Sequence, residues 1–529
     1  MKTRIFSIIT LCLVLFSTAA SAQFRINTGK DSPLQKLQWA EVAINNLYVD
    51  SVDENKLVED AIRGMLEKLD PHSSYTTPEE TRELNEPLQG NFDGIGVQFN
   101  MVEDTLMVIQ TINGGPSEKA GVLAGDRIVS VNDTAIAGVK MDKNKIMKKL
   151  RGPKGTKVNI GVVRRGIDGV LTFTITRDKI PVTTIDASYL IRPGVAYIRI
   201  GSFGATTYKE FVKALQAIEE KNKVKSIIID LQDNGGGYLQ TAVLLCNQFL
   251  NKGDLIVYTE GRTQKRQDYK ADDKGEQKKK KVVVLVNEYS ASASEIFAGA
   301  MQDNDRGTII GRRTYGKGLV QRPVEMTDGS MIRLTVAHYY TPSGRCIQKP
   351  YTKGDKKAYQ NDLETRFKNG EFTNADSIHF NDSLKYYTLN EHRLVYGGGG
   401  IMPDIFVPLD TMKYTKFYRS ISAKSLIINA NLKYIDKERK NIEAEYKNFD
   451  DFNKRFEVPQ SVIDDIFAEA EKQKITPTDD EEKAKAATEA KLHLKALIAR
   501  DIWTMTEYFK VVNETNDIIQ RALTELSSK

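Results

Sequence analysis

Cysteine, tryptophan and histidine are scarce in this chain of 529 residues, with three, two and five copies. Three cysteines, none in a metal-ligand spacing, exclude a disulfide-stapled scaffold and a zinc-ribbon module. The five histidines stand singly, so no metal site and no cofactor are expected. No histidine lies between His72 and His338, which excludes a serine–histidine pair within that span. Neither sign of charge dominates. A formal charge of +6, from 76 basic and 70 acidic residues, is too small an excess to point to nucleic acid or another polyanion. The basic run Lys278–Lys281 follows Asp272, Asp273 and Glu276 and reads as a solvated loop. Long apolar runs are missing too, and the one at the N-terminus, Ile5–Phe16, is too short to span a bilayer.

That run follows Lys2 and Arg4 and precedes Ala20-Ser-Ala22, the order of an export signal with its A-x-A cleavage site. Segment 1–22 is expected to be removed, leaving a periplasmic or secreted chain with no stable membrane anchor. Cys12 lacks the small preceding residues of a lipoprotein box. Export permits a disulfide between Cys246 and Cys346, and two buried free thiols fit equally well. The length implies three or four domains.

The most informative stretch runs from Val282 to Gln321. Val282–Val286 is an apolar, β-branched run suited to a strand buried on both faces. Asn287–Ser290 form a polar corner, and Ala291–Gln302 read as a helix of small residues. Ser290, Ser292 and Ser294 crowd the join. A strand running into a helix N-terminus aims several backbone N–H groups at one point and can hold an oxyanion. A serine there still needs a base. Lys317, between Gly316 and Gly318, can serve if burial lowers its pKa. Composition alone stops at a serine hydrolase, with a plain strand, helix and loop lysine as the other reading.

The wording of the stretch goes further. Ser290-Ala-Ser-Ala-Ser-Glu-Ile296, Ala298-Gly-Ala-Met-Gln-Asp303 and Thr314-Tyr-Gly-Lys-Gly-Leu-Val-Gln321 resemble the signature of the carboxyl-terminal processing peptidases, or tail-specific proteases. The resemblance implies a multidomain α/β protein. Its parts would be a crotonase/ClpP-like protease core, an inserted PDZ domain, a helical N-terminal segment and a helical C-terminal region. It assigns catalysis to Ser292 and Lys317, with Gln321 holding the lysine head by a hydrogen bond, and leaves Ser294 as the alternative nucleophile. Gln232-Asp-Asn-Gly-Gly-Gly237 resembles the family's D-L-R-x-N-x-G-G element, with glutamine where arginine is usual. The N–H groups of Gly236 and Ala293 are the expected oxyanion hole, with Gly237 as substitute for Gly236. Asp303 either orders the site loop or simply ends a helix. Leu69-Asp-Pro-His-Ser-Ser-Tyr75 matches a family turn in which His72 caps or packs and is not the base.

Residues 92–178 resemble a PDZ domain. Gly94-Ile-Gly-Val97 stands at the carboxylate-binding loop, where converging N–H groups hold a chain terminus. Gly94, Ile95, Gly96, Val97 and Phe99, with Ile146 and Leu150 of the following helix, are the candidate peptide-binding residues. Arg151 caps that helix, or reaches the protease site. The domain map is then 23–91 helical, 92–178 PDZ, 179–351 and 397–410 protease core, 352–396 an insertion with no assigned chemistry, and 411–529 helical. Apolar stripes in the last part (Leu426, Ile427, Leu432, Ile435; Leu494, Leu497, Ile498, Trp503, Phe509) bury against the body or against a twin subunit. A homodimer and an adaptor partner both stay open. The whole implies an ATP-independent serine endopeptidase that recognises substrate proteins by free C-termini and cleaves them with a Ser–Lys dyad. The rival readings are a non-catalytic PDZ scaffold and a dyad hydrolase of non-protein substrates, and the PDZ module argues against the latter.

Overall fold

Two apolar faces alternate along Val282–Val286, and each is covered by a different part of the chain. The structure, a computed structural model, describes residues 32–527, and the expected export segment lies outside them. The strand Lys281–Val286 sits inside a six-stranded sheet. The order is Ile185–Arg192, Val195–Ile200, Ser226–Asp230, Lys281–Val286, Thr308–Gly311, Ile405–Phe406. The first pair is antiparallel and every later pair parallel. Val282, Val284 and Val286, with Ile227 and Ile229, face the main core, which includes Phe211, Leu245 and Phe297 of three covering helices. Val283, Leu285, Ile228 and Tyr197 point the other way, onto Ile518, Ile519, Ala522 and Leu523 of the helix Asp517–Ser527. Parallel strands need both faces covered, and here the last helix of the chain closes the second face.

A second sheet joins Ser74–Thr76, Leu319–Glu325 and Leu255–Glu260 to the long strand Met331–Tyr340. It brings the 69–75 turn beside the segment that follows Lys317. The strands Asn91–Gly94 and Asp178–Pro181 pair antiparallel, so the chain leaves and returns at one hydrogen-bonded point. Between them a six-stranded sheet closes around Leu106, Val108, Ile128, Ile146 and Ile160. Its helix Lys143–Leu150 is started by Asp142, whose carboxylate accepts from the N–H groups of Asn144 (2.9 Å) and Lys145 (3.3 Å).

The C-terminal helices, Lys416–Ala423 to Met505–Val512, build a core of their own around Ile435, Phe452, Ile463 and Leu494. Their apolar stripes are therefore used within the chain. Leu432 also packs on Met107 and Ile109 of the PDZ sheet, where Asp436 pairs with Arg127 at 2.8 Å. Cys246 is buried, Cys346 is half-buried, and both are free thiols. Residues 33–67 carry two helices, Pro33–Leu47 and Glu54–Glu67, N-capped by the side chains of Ser32 and Asp53. The first of these has no buried residue.

Ile519 is fully buried beneath the central sheet. Ile519→Ala is expected to destabilise the protein by about 2–5 kcal/mol, read as a lower urea midpoint.

Candidate active site

The sheet delivers Val286 into the corner 287–292, and the helix Ala293–Asp303 begins there. Ser292 occupies the turn with φ +58° and ψ −114°, a conformation that side-chain-bearing residues rarely adopt. Such strain at a sharp strand-to-helix turn marks exposed nucleophiles on other α/β folds. The neighbouring serines are spent on structure. Ser290 is fully buried and its Oγ donates to Leu231 O at 2.7 Å. Ser294 is fully buried too, and donates to Asn234 O at 2.9 Å. Only Ser292 of the three is half-exposed.

Glu295, one turn into the helix and wholly buried, ties this corner to the lysine loop. Its Oε2 accepts from the N–H groups of Ser292 and Lys317, both at 2.8 Å. Its Oε1 accepts from Gly316 N–H at 2.7 Å and Thr314 Oγ at 2.6 Å. Burial pushes the carboxyl pKa upward, against the four hydrogen bonds that favour its ionised form. The sequence carried the residue inside the serine motif, but no spacing rule connects it to four donors on two segments.

Lys317 is largely enclosed. Burial, and then the charge of Arg333, hold its pKa below that of an ordinary lysine, while Glu295 and Asp70 pull the other way. Among the described residues its ammonium has no salt-bridge partner, nor is it hydrogen-bonded to Ser292. Gln321 departs from expectation. Its amide donates to Thr335 Oγ at 3.3 Å, Thr335 Oγ donates to Asp70 at 2.9 Å, and among the described residues no hydrogen bond joins the glutamine to the lysine head. A register shift between Val320 and Gln321 sets Gln321 opposite Thr335. His72 lies on the same side. Burial, then the Lys317 charge, depress its pKa to about 4, and its Nε2 meets Tyr359 Oη at 3.0 Å. It stays a neutral packing group.

The 232–237 loop lies directly on the serine. Gly236 has φ +101°, and a Cβ there would stand 2.8 Å from Ser292 Cβ and 2.9 Å from Ala293 N. Its own N–H, however, donates to Asn234 Oδ1 at 2.8 Å. Gly236 therefore supplies close approach, not an oxyanion contact. Among the described residues no acceptor is found for the N–H groups of Gly237 and Ala293. Beside Gln232 stands a charge from the neighbouring strand. Arg199 donates to Asp230 at 2.9 Å and to Gln232 O at 2.8 Å, and stacks 4.6 Å over Phe509 of a C-terminal helix.

The insertion is not peripheral. Arg366 reaches from it to Arg313 O (2.9 Å) and Thr314 O (3.1 Å), clamping the lysine loop from behind. Tyr359 comes from it as well, against His72. Asp303 is fully buried with Arg345 at 2.7 Å and also accepts from Ser343 N–H and Oγ, which fixes the 341–345 turn.

Between Val97–Val102 and Lys143–Leu150 runs a groove of about 300 Å³. Gly94, Ile95, Gly96, Val97, Phe99 and Leu150 line it. Ile146 does not, because it is turned into the domain core, and the groove face of the helix is Lys143, Met147, Leu150 and Arg151. Those positions recur at four and three or four residues, one face of an α-helix. Arg151 faces Glu86 at 3.5 Å and lies 4.7 Å over Phe92.

A strained serine on an α/β sheet, a buried lysine loop and a PDZ groove define a serine-type protease with a peptide-binding module. Comparison with known proteins agrees. The family model of peptidase family S41 matches residues 194–358, a PDZ domain model 94–176, and that of the activating protease CtpB N-terminal domain 16–81. A family of unknown function matches 417–504. A carboxy-terminal-processing protease of Bartonella bacilliformis is 40% identical over 311 residues, 58% of this chain and 70% of its own. The carboxy-terminal processing protease CtpA of Bacillus subtilis is 37% identical over 356 residues, covering 66% and 75%. CtpB of the same organism is 35% identical over 336 residues, covering 63% and 69%. The chain belongs to the carboxy-terminal processing proteases of family S41.

Replacing Glu295 by glutamine keeps its shape but sets an amide NH2 against backbone donors. Because a displacement of about 1 Å can cost roughly 100-fold, Glu295→Gln is expected to lower kcat by about that factor. KM for a peptide should change little, which steady-state kinetics would separate.

Proposed function

We infer that this protein is an exported, ATP-independent endopeptidase that captures substrate proteins by their C-terminal tails and cleaves them with a Ser292–Lys317 dyad. The observation that carries this reading is the single carboxylate of Glu295, which brackets the backbone of both residues. A tail enters the groove as a strand added to Val97–Val102, its terminal carboxylate on the 94–97 loop. Held there, the adjoining chain has a raised local concentration at the serine. Neutral Lys317 takes the proton of Ser292 Oγ as the oxygen attacks the scissile carbonyl. The oxyanion rests on the N–H groups of Ala293 and Gly237. The lysine ammonium returns the proton to the leaving amine, and an acyl-serine remains. A water, deprotonated by the same lysine, hydrolyses that ester and restores the serine. Export is supported by the charged, apolar and A-x-A order of residues 2–22.

An unstructured peptide with an apolar tail, free or amidated at its C-terminus, tests both halves. Ser292→Ala and Lys317→Ala are each expected to lower kcat by about 1000-fold or more. The amidated peptide should be cleaved more slowly. Equal cleavage of both forms would keep the protease and remove tail capture. Retained binding without cleavage by the unmodified chain would return the scaffold reading.

The lowered Lys317 pKa fixes the sign of the pH dependence. The base form is lost as pH falls through that pKa, so the rate falls on acidification. Arg333→Met removes a charge that depresses the lysine and should move the acid limb to higher pH. A profile flat down to about pH 4 would overturn the lysine base.

A further inference from the structure

The groove is lined by apolar side chains with one cation near each end, Arg151 by the 94–97 loop and Lys143 at the other. Leu150 and Arg151 stand at the loop end, where a Cβ on Gly94 would be 3.9 Å from Arg151 Cγ. Lys143 stands at the far end, with its ammonium 5.6 Å over the ring of Phe99. Of these two cations, Arg151 already faces a carboxylate, that of Glu86. Lys143 is exposed and, among the described residues, forms no ion pair. No acidic side chain is among the residues lining the groove.

The spacing decides which residue of a bound tail meets that ammonium. Seven residues of helix separate Lys143 from Leu150, about 10 Å at 1.5 Å each. An added strand advances about 3.3 Å per residue and turns alternate side chains to the same face. The last residue and the third from last therefore face the helix, and lie roughly 7 Å apart. With the last side chain beside Leu150 and Met147, the third from last falls within reach of the flexible Lys143 side chain and beside Phe99. A carboxylate there finds an unpaired ammonium. A cation meets repulsion, with no acid in the groove to offset it.

We propose that Lys143 sets substrate choice: the protease selects protein tails that end in an apolar residue and carry aspartate or glutamate at the third position from the end. This rests on the groove being the tail-capture site. The selection is electrostatic at an exposed position, so its size is modest and falls with salt.

The test uses the full chain with Ser292→Ala, so that peptides bind without being cut. Fluorescence anisotropy would compare labelled decapeptides ending in Glu-Ala-Leu, Gln-Ala-Leu and Lys-Ala-Leu, each free and amidated. Binding of the glutamate peptide over the lysine peptide by about five-fold at low salt is expected, shrinking at 0.5 M NaCl. Lys143→Gln should level the three, and Lys143→Glu should invert their order. An unchanged order in both variants, with amidation still weakening every peptide, would overturn the role of Lys143 and leave tail capture standing. Indifference to amidation in all proteins would instead remove tail capture, and this proposal with it. Because Lys143 is exposed and, among the described residues, forms no ion pair, the variants should melt close to the parent, and a melt confirms that the comparison is of folded proteins.

Discussion

One buried carboxylate ties the Ser292 corner to the Lys317 loop. Glu295 takes four donors from two segments that lie more than twenty residues apart in sequence, and all four point at it because both segments bend there. An acid with no exposed surface is costly to ionise unless it is fully hydrogen-bonded. The energy that keeps the carboxylate satisfied is therefore the same energy that holds the strained turn at Ser292 and the start of the lysine loop. Loosening one end leaves a buried acceptor unmet at the other. Strain such as that at Ser292 persists only where the surroundings over-determine it, and this bracket is such a surrounding.

Around that bracket the charges are arranged to leave the lysine uncommitted. Its nearby acids, Asp70 and Glu295, are occupied by hydroxyls and backbone N–H groups. Arg333 adds a like charge, and His72 is held neutral by burial and by the lysine itself. Desolvation and a like charge without a tight counter-ion are the combination that lowers a lysine pKa. The insertion backs the lysine loop through Arg366 on the carbonyls of Arg313 and Thr314, and packs Tyr359 against His72.

Much of this was legible from residues in order. The strand–corner–helix around Ser292, the glycine loop at 235–237, the PDZ groove wall at 94–99 and the doubly buried run Val282–Val286 all follow from local pattern. What escaped was long-range partnership. Apolar alternation at 282–286 says that both faces are covered, but not that Ile519 covers one of them. A polar, Asn/Asp-rich insertion looks like decoration until Arg366 and Tyr359 meet atoms fifty and nearly three hundred residues away. Smaller errors came from phase. One position around a helix turns Ile146 into the core and puts Met147 on the groove. One bulge in a strand sends Gln321 to Thr335, and one asparagine two residues back occupies the N–H of Gly236.

The paired strands Asn91–Gly94 and Asp178–Pro181 have a topological consequence. Gly94 and Asp178 are cross-strand neighbours, so the whole domain between them begins and ends about 5 Å apart. To the rest of the fold it is a loop of arbitrary length, and the same gap could be bridged by a two-residue hairpin. Recognition and chemistry can then change independently during evolution. A domain with another groove could be exchanged at this joint without disturbing the sheet that carries the serine. The seams such an exchange must still match include the patch where Met107 and Ile109 meet Leu432, the Arg127–Asp436 pair and the Arg151–Glu86 contact.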